Sequence, residues 1–280
     1  DFNWSKFALR SFKTQVALFQ KPVSVSLDLD NLRTPFFNVH LSAPAFDQQD
    51  LSVFYKDLPA FNVPASKISA RGVLTEGYTF LTLNELTAQT DNLDFTLSGK
   101  ADFAAKPLTA ELSLKTGWND LATLSKRWPA LARFALKGKG SLSANVKREN
   151  GKFTLPLVEI GAKEASGNFW GFVVSGLSGS FTAKKDFSDL YAQTTGGKVK
   201  VADSVFNKLK LTASYRKGDV YAYISSALLN DVPLKLRLSI DNIKSKKRKI
   251  DTSIYLQNFE PMKFIGTVMD FVEVILEIPK

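Results

Sequence analysis

Hydrophobic and polar residues alternate with a period of two over much of the chain. The clearest segments are residues 23–30, 93–98, 108–115 and 234–241, where every second residue is apolar. This period places apolar side chains on one face of a β-strand and polar side chains on the other. Strands with a single apolar face are typical of antiparallel sheets, because parallel sheets are usually buried on both faces.

Turn signals separate the alternating segments. They are Ala105-Lys106-Pro107, Glu149-Asn150-Gly151, Thr195-Gly196-Gly197 and Lys217-Gly218-Asp219. Asn150-Gly151 is the strongest, because Asn-Gly supplies the positive φ angles of a type I′ hairpin. The pattern predicts a mainly β protein with a long, curved antiparallel meander sheet, either a β-groove or an open sandwich, and two short helical segments.

The first helical segment is predicted over residues 117–135. Its hydrophobic residues at helical spacing are Trp118, Leu121, Leu124 and Trp128. This spacing predicts that both tryptophans lie in the core. Asn119 or Asp120 is expected to cap the start of the helix, and Pro129 is expected to kink it or to begin a second short helix.

The second helical segment is predicted over residues 260–279, in which Pro261, the second residue, suits a first helical turn. Its apolar residues are spaced for one face, and its other residues include Asp270, Glu273 and Glu277 but only one basic residue, Lys263. We expect it to pack on the sheet or against its end. A helix lying on a membrane surface is the alternative, although such helices usually carry basic residues on the polar face.

The most irregular stretch is residues 41–66, which contain Pro44, Pro59 and Pro64. It is the best candidate for a domain boundary. We therefore divide the chain into an N-terminal β segment, 1–66, and a repetitive antiparallel β domain, 67–280, which holds both helical segments. A single continuous domain is the alternative.

Composition narrows the range of functions. The chain has 280 residues, of which 44% are hydrophobic and 23% charged, a globular balance. It contains no cysteine, which excludes disulfides, thiolate metal sites and cysteine nucleophiles. Its formal charge of +10 favours contact with anionic surfaces such as lipid headgroups. No apolar stretch reaches the roughly 18 residues of a transmembrane helix.

Catalytic motifs are absent from the sequence. His40, the single histidine, alternates with Val39 and Leu41 and is therefore expected on the polar, exposed face of a strand. The carboxylate pairs Asp91/Asp94 and Asp186/Asp189 flank predicted turns, where Asp serves local hydrogen bonding. The sequence holds no nucleophile elbow, P-loop or dinucleotide motif. We therefore predict a protein that is not an enzyme and uses neither a cofactor nor a metal.

The basic run KSKKRK, residues 244–249, is predicted to be a solvated hairpin tip. Contact with an anionic membrane surface is the alternative. Nucleic acid is not an expected partner, because neither stacking aromatics nor a recognition helix accompanies the run. Trp170 is the tryptophan considered for surface contact.

One short phrase recurs with a glycine on the apolar face. It reads LSGKADF at 97–103, LKGKGSL at 136–142 and LSGSFTA at 177–183. Gly99, Gly138 and Gly179 each follow a leucine by two positions, where a strand would normally carry a large side chain. Glycine weakens a strand interior, so its placement needs a reason. A bend or bulge in the sheet is favoured; close packing of a helix or passage of a ligand's hydrocarbon chain are the alternatives.

These repeated strands resemble the AsmA family, which is related to TamB-like and repeating β-groove lipid-transfer proteins. The resemblance lies in NLDFTLSGKADFAAKPLTAELSLKT, the helical insert WNDLATLSKRWPALA, LKGKGSLSANVK and VVSGLSGSFTA, and spans residues 20–260. It implies a bacterial periplasmic domain, anchored in the inner membrane by a helix expected before Asp1. It further implies an apolar groove that shields phospholipid acyl chains and supports phospholipid transport or outer-membrane assembly.

The alternation and the resemblance together predict a set of lipid-binding residues beside the glycines. They are Leu93, Phe95, Leu97, Gly99, Phe103, Leu112, Leu114, Leu136, Gly138, Leu142, Leu177, Gly179 and Phe181. The expected partners are phospholipid or other lipid acyl chains. The same faces could instead form closed core under the helices. The alternative function is a structural or adhesive β-sandwich that binds a protein or a glycan.

Overall fold

The computed structural model describes residues 6–47, 50, 64–90, 93–127, 129–169, 171–201, 204–243, 245 and 249–257. Several predicted features lie outside the described residues. These are the helix at 260–279, Trp128, Trp170, Asp91, most of the basic run and most of the proposed boundary at 41–66.

The described residues form sixteen strands. The strands are β1 Ala8–Leu18, β2 Lys21–Asp30, β3 Phe36–Ala43, β4 Ser66–Leu74, β5 Phe80–Gln89, β6 Asp94–Asp102, β7 Thr109–Thr116, β8 Asn119–Asp120, β9 Lys137–Glu149, β10 Lys152–Phe169, β11 Phe172–Lys184, β12 Asp189–Val201, β13 Ser204–Arg216, β14 Asp219–Leu229, β15 Val232–Asp241 and β16 Lys249–Leu256. Two short helices, α1 Leu121–Arg127 and α2 Pro129–Ala132, and a 3-10 turn, Glu76–Tyr78, complete the elements.

All the strands belong to one open antiparallel sheet, in which each strand pairs with the next one along the chain. The short β8 is the exception, since it pairs with β9 and leaves β7 hydrogen-bonded to β9 as well. β1 and β16 are the two end strands. The prediction of a mainly β antiparallel meander is confirmed.

The chain divides into two compact units. The first comprises residues up to 119, 127–129 and 142–157, and the second comprises 120–126, 130–141 and the residues from 158 onward. The first unit therefore holds β1 to β7 and the tip of the β9–β10 hairpin. The second holds β11 to β16. The two units are described separately below.

Two of the predicted hairpins are present. Asn150 and Gly151, with φ angles of +52° and +74°, join β9 to β10 in a two-residue loop. Lys217 and Gly218, with φ angles of +50° and +98°, join β13 to β14. Both loops use the positive φ that fits the twist of the flanking strands.

The hairpin predicted at Thr195-Gly196-Gly197 is wrong, because these residues lie inside β12. The register between β11 and β12 shifts at Ser178 and Gly196. A Cβ on Gly197 would lie 2.7 Å from the Cα atom of Leu177, and its φ is +126°. The two glycines therefore lie at a shift in the pairing of β11 and β12, and the chain does not reverse direction there.

The helical insert is present but shorter than predicted. Asp120 caps α1, because its Oδ1 accepts a hydrogen bond from the backbone N–H of Thr123 at 2.7 Å. The prediction that Trp118 lies in the core is wrong, since its side chain is 44% exposed. Trp118 precedes the helix, so helical spacing does not determine where its side chain points.

Few apolar residues in the described part of the chain are buried. Among the described residues they include Ala88, Ala144, Ala183, Val201 and Leu234. Most leucines on the apolar sheet face are only half-buried. The described strands all lie in a single sheet.

Candidate functional site

The apolar face of the first unit is built from rows of side chains that cross its strands. Residues directly opposite each other in an antiparallel pair point to the same side of the sheet. The central row is Phe12, Leu27, Val39, Ala70, Leu86, Leu97, Leu114 and Ala144. It crosses seven strand spacings of about 4.8 Å, and is therefore roughly 34 Å long.

Two further apolar rows flank this central row. One is Val25, Leu41, Ile68, Ala88 and Phe95. The other is Leu29, Phe37, Gly72, Leu83, Gly99, Leu112 and Val146. Because the three rows are adjacent, the first unit carries a continuous apolar surface whose leucines remain partly exposed.

The second unit has an apolar face of the same construction. One row is Phe181, Ala192, Ala213, Ala222 and Leu238. The next consists of the pair Gly179 and Thr194 and of the series Leu211, Ile224, Leu236 and Ile254, in which Leu211 shares the face of Ala213 by its position two residues away. Alanines form much of the first row and large aliphatic residues most of the second. Towards the end strand this face is open, since Ile254 is 43% exposed.

The predicted lipid-binding residues divide between the two units. Phe95, Leu97, Gly99, Leu112 and Leu114 come together in the rows of the first unit. Leu142 shares their face, because it lies two residues before Ala144 in β9. Leu93 and Phe103 lie just outside β6, and Phe103 is 53% exposed. Leu136, Gly138, Leu177, Gly179 and Phe181 belong to the second unit.

The neighbouring strand occupies the space of the missing side chain at each recurrent glycine. A Cβ on Gly99 would overlap the carbonyl oxygen of Glu111 and lie 2.9 Å from the Cα of Leu112. A Cβ on Gly138 would meet the carbonyl of Glu164 in the same way. The φ angle is +91° at Gly138 and +151° at Gly99, and residues that carry a side chain rarely adopt such φ angles.

Gly179 repeats this arrangement. A Cβ there would overlap the carbonyl oxygen of Gln193 and lie 3.0 Å from the Cα of Thr194. Register shifts accompany the glycines, between Leu83 and Leu86 opposite Gly99 and between Ser178 and Gly179. The glycines therefore allow close backbone approach at bulges, as the favoured explanation predicted, and they leave no gap that a hydrocarbon chain could fill.

Gly140, a second glycine in the phrase LKGKGSL at 136–142, is explained by helix packing. A Cβ on Gly140 would lie 2.6 Å from Cδ2 of Leu121, the first residue of α1. Gly140 is buried in β9. The small residue lets the helix side chain pack directly on the strand.

Arg148 is a residue of the apolar face that the sequence analysis missed. It pairs with Ala110 of β7, so it lies on the same side as Val146 and Ala144. The signal was present in the sequence, because Leu142, Ala144, Val146 and Arg148 share one parity along β9. An arginine at the end of an apolar series is otherwise easily taken as the end of the strand.

The polar face of the first unit carries a shallow cavity of about 690 Å³. The residues of the polar face that line it are Lys13, Gln15, Ser24, Ser26, His40, Ser42, Lys67, Ser69, Thr87 and Gln89. Its other lining residues, Thr14, Val25, Leu41 and Ile68, belong to the opposite face by strand pairing. His40 lies between Ser26 and Ser69 in the cross-strand order and is exposed, as predicted. No carboxylate is among the residues that line this cavity.

Asp50, Asp120 and Asp189 are carboxylates held in local contacts. Asp189 pairs with Lys185, with 3.0 Å between Oδ2 and Nζ. The hydrogen bond from Lys21 and that from the backbone of Asp47 lower the pKa of Asp50. The hydrogen bond from the backbone of Thr123 lowers the pKa of Asp120. Within the described part of the chain, no three His, Cys, Asp or Glu residues are grouped as a metal site would require.

The fold and this face define an all-β protein built on one open antiparallel meander sheet. None of the helices among the described residues is long and apolar enough to cross a membrane. No protein-family model, curated protein or solved structure matches the chain.

Proposed function

We propose that the chain binds lipid acyl chains on the apolar face of its sheet. In this proposal it is an AsmA-like periplasmic domain that supports phospholipid transport or outer-membrane assembly. The observation that carries the proposal is the continuous apolar surface of the first unit. Its central row includes Leu86, Leu97 and Leu114, which are paired across strands yet only half-buried.

The physical reason is the cost of moving hydrocarbon through water. Transfer of each methylene from an apolar environment into water costs about 0.8 kcal/mol, so a chain of about 16 carbons costs roughly 13 kcal/mol. A surface that replaces the lost contacts along its whole length lowers this cost. Rows of half-exposed leucines over several strands provide such contacts, and binding of this kind needs no catalytic group.

A pair of matched variants tests the proposal. Leu97 and Leu114 are directly opposite each other on the apolar face, and Ser98 and Ser113 are directly opposite each other on the polar face. We expect L97N/L114N to weaken binding of dioleoyl-phosphatidylglycerol, because two polar amides replace the central hydrocarbon contacts. The control S98N/S113N changes the same two strands on the other side and should leave binding within about twofold.

Lipid extraction and native mass spectrometry of the purified chain supply the direct measurement. Co-purifying phospholipid that is reduced in L97N/L114N supports the proposal. Absence of lipid in the unmodified chain, or equal lipid in the two double variants, contradicts it. Circular dichroism spectra of both variants establish that the sheet remains folded in each.

The alternative function, adhesion to a glycan, is favoured by the cavity on the polar face. Its hydroxyl and amide groups could form hydrogen bonds with the hydroxyl groups of a sugar, and Lys13 and Lys67 could pair with an acidic substituent. Titration with acidic and neutral oligosaccharides of equal length tests it. Saturable binding that K13Q/K67Q weakens, in a chain that carries no lipid, would favour adhesion over lipid binding.

A further inference from the structure

Arg148 places a positive charge at one end of the apolar surface of the first unit. It lies opposite Ala110 in β7, which in turn lies opposite Ala101 of β6. Leu81 of β5 is the next member of this row. The side chain of Arg148 therefore lies on the apolar face among small and apolar residues. Glu111 and Lys147 are paired with each other on the polar face.

The Nε atom of Arg148 has no hydrogen-bond partner among the described residues. This atom is also shielded from solvent. The neighbouring acid, Glu149, pairs instead with Lys147 at 2.9 Å. A buried donor without a partner is uncommon in folded proteins and calls for an explanation, such as a bound group that accepts the hydrogen bond.

An aromatic ring accompanies the guanidinium. The Cζ atom of Arg148 lies 5.1 Å from the centroid of the Phe153 ring, across the hairpin that Asn150 and Gly151 close. Phe153 is 70% exposed. Stacking against a ring restricts the guanidinium without using its N–H groups, so the N–H groups remain available to an anion.

Apolar residues extend away from Arg148 along the strands. In β9 they are Val146, Ala144 and Leu142, and in β7 they are Leu112 and Leu114. The distance from Arg148 to Leu142 covers six residues, or roughly 20 Å at about 3.4 Å per residue. A charged group at one end and hydrocarbon contacts over this length match a lipid with an anionic head.

We propose that Arg148 binds the phosphate of a phospholipid whose acyl chains lie on this apolar face. The inference rests on the proposed lipid-binding function and adds to it the residue that binds the phosphate of the headgroup. Arginine suits the role because its planar guanidinium donates two parallel hydrogen bonds to phosphate oxygens. Nε is shielded from solvent in this structure, so its N–H would gain a phosphate acceptor once the side chain turns towards the bound headgroup.

Two lipids with identical acyl chains test the proposal. Dioleoyl-phosphatidic acid carries a phosphate, and dioleoylglycerol does not. We expect R148M, measured on the full chain, to lower the affinity for phosphatidic acid by about tenfold or more, since charge-assisted hydrogen bonds to the phosphate are lost. Affinity for dioleoylglycerol should stay within about twofold, because the methionine side chain remains apolar.

Arg237 provides a matched control. Its guanidinium carbon lies 5.7 Å from the ring centroid of Tyr221, and it is paired with Tyr223 and Ser253 on the polar face of β15. R237M removes the same charge and the same kind of ring contact. It should leave the affinity for both lipids unchanged, which separates the local effect of Arg148 from a loss of net charge.

The outcomes distinguish this inference from the proposed function. If the unmodified chain binds neither lipid, the proposed function fails. If it binds both lipids and R148M binds phosphatidic acid with unchanged affinity, only the phosphate-binding role fails. A loss of both lipids in R148M with an unchanged urea midpoint also refutes a phosphate-specific role. R148K gives a second test, because a retained charge without the planar fork should restore only part of the affinity.

Discussion

Replacing Gly99 with alanine tests why the recurrent glycines are present. The added Cβ would overlap the carbonyl oxygen of Glu111 in β7 and come within 2.9 Å of the Cα of Leu112. The backbone φ of +151° adds strain for any residue with a side chain. We therefore expect G99A to destabilise the first unit.

The magnitude follows from two contributions. A side chain in a sparsely populated backbone region costs about 1–3 kcal/mol, and forcing extra volume against packed neighbours costs about 1–3 kcal/mol more. The expected loss is therefore roughly 2–6 kcal/mol. With a urea dependence of about 2 kcal/mol per molar, the midpoint should fall by at least about 1 M.

Gly117 is the matched control within the same unit. A Cβ there would meet no atom within 4 Å, and its φ lies outside the range that side chains avoid. G117A should leave the urea midpoint unchanged or raise it slightly, because alanine reduces the entropy of the unfolded chain. Hydrogen exchange should localise the loss in G99A to β6 and β7. Equal midpoints for G99A and G117A would refute the role of Gly99 in close backbone approach.

Three further predictions follow from local geometry. In the second unit, G179A should lower the urea midpoint, because a Cβ on Gly179 overlaps the carbonyl oxygen of Gln193. G196A should leave the midpoint unchanged, because a Cβ on Gly196 meets no atom within 4 Å. G151A should destabilise the β9–β10 hairpin by about 1–3 kcal/mol in urea unfolding, because Gly151 has a φ of +74°; an unchanged midpoint would contradict this. D120A should cost about 1 kcal/mol through loss of the helix cap. The pKa of Asp120 is lowered in the folded chain. The ionised carboxylate therefore stabilises the fold above its ordinary pKa of 3.8, and this stabilisation is lost as the pH falls through the pKa of the folded chain. D120N should cap the helix without this acid dependence, and the same acid-dependent loss of stability in D120N and the unmodified chain would exclude Asp120 as its source.

The strands could be predicted from the sequence because their signal is local. The alternation at 93–98 and 108–115 falls on β6 and β7, and that at 234–241 falls on β15. The period of two is imposed by the geometry of each strand alone. Antiparallel pairing of successive strands then follows from the short turns between them.

Register could not be predicted from the sequence, and this accounts for the wrong hairpin prediction at residues 195–197. Gly196 and Gly197 resemble a hairpin turn because positive φ serves turns and bulges alike. Only the pairing of β12 with β11 shows that the strand continues through them. The meeting of Leu97 with Leu86 and Leu114 likewise depends on pairing between separate segments. The sequence therefore indicates which residues of each strand lie on the apolar face. It does not indicate which residues of neighbouring strands lie opposite each other.

In the proposed complex, the apolar rows and Arg148 would contact different parts of the phospholipid, so their contributions to affinity should be additive. Each methylene removed from both acyl chains should weaken binding by about 1.6 kcal/mol, or roughly fifteenfold, where the chains lie fully on the apolar face. The same factor is expected in R148M, because the headgroup contact lies at the far end of the surface from Leu142. Affinities of phosphatidic acids of graded chain length for both proteins measure this. A chain-length dependence that disappears in R148M would mean that Arg148 positions the acyl chains as well, and that head and tail do not bind independently.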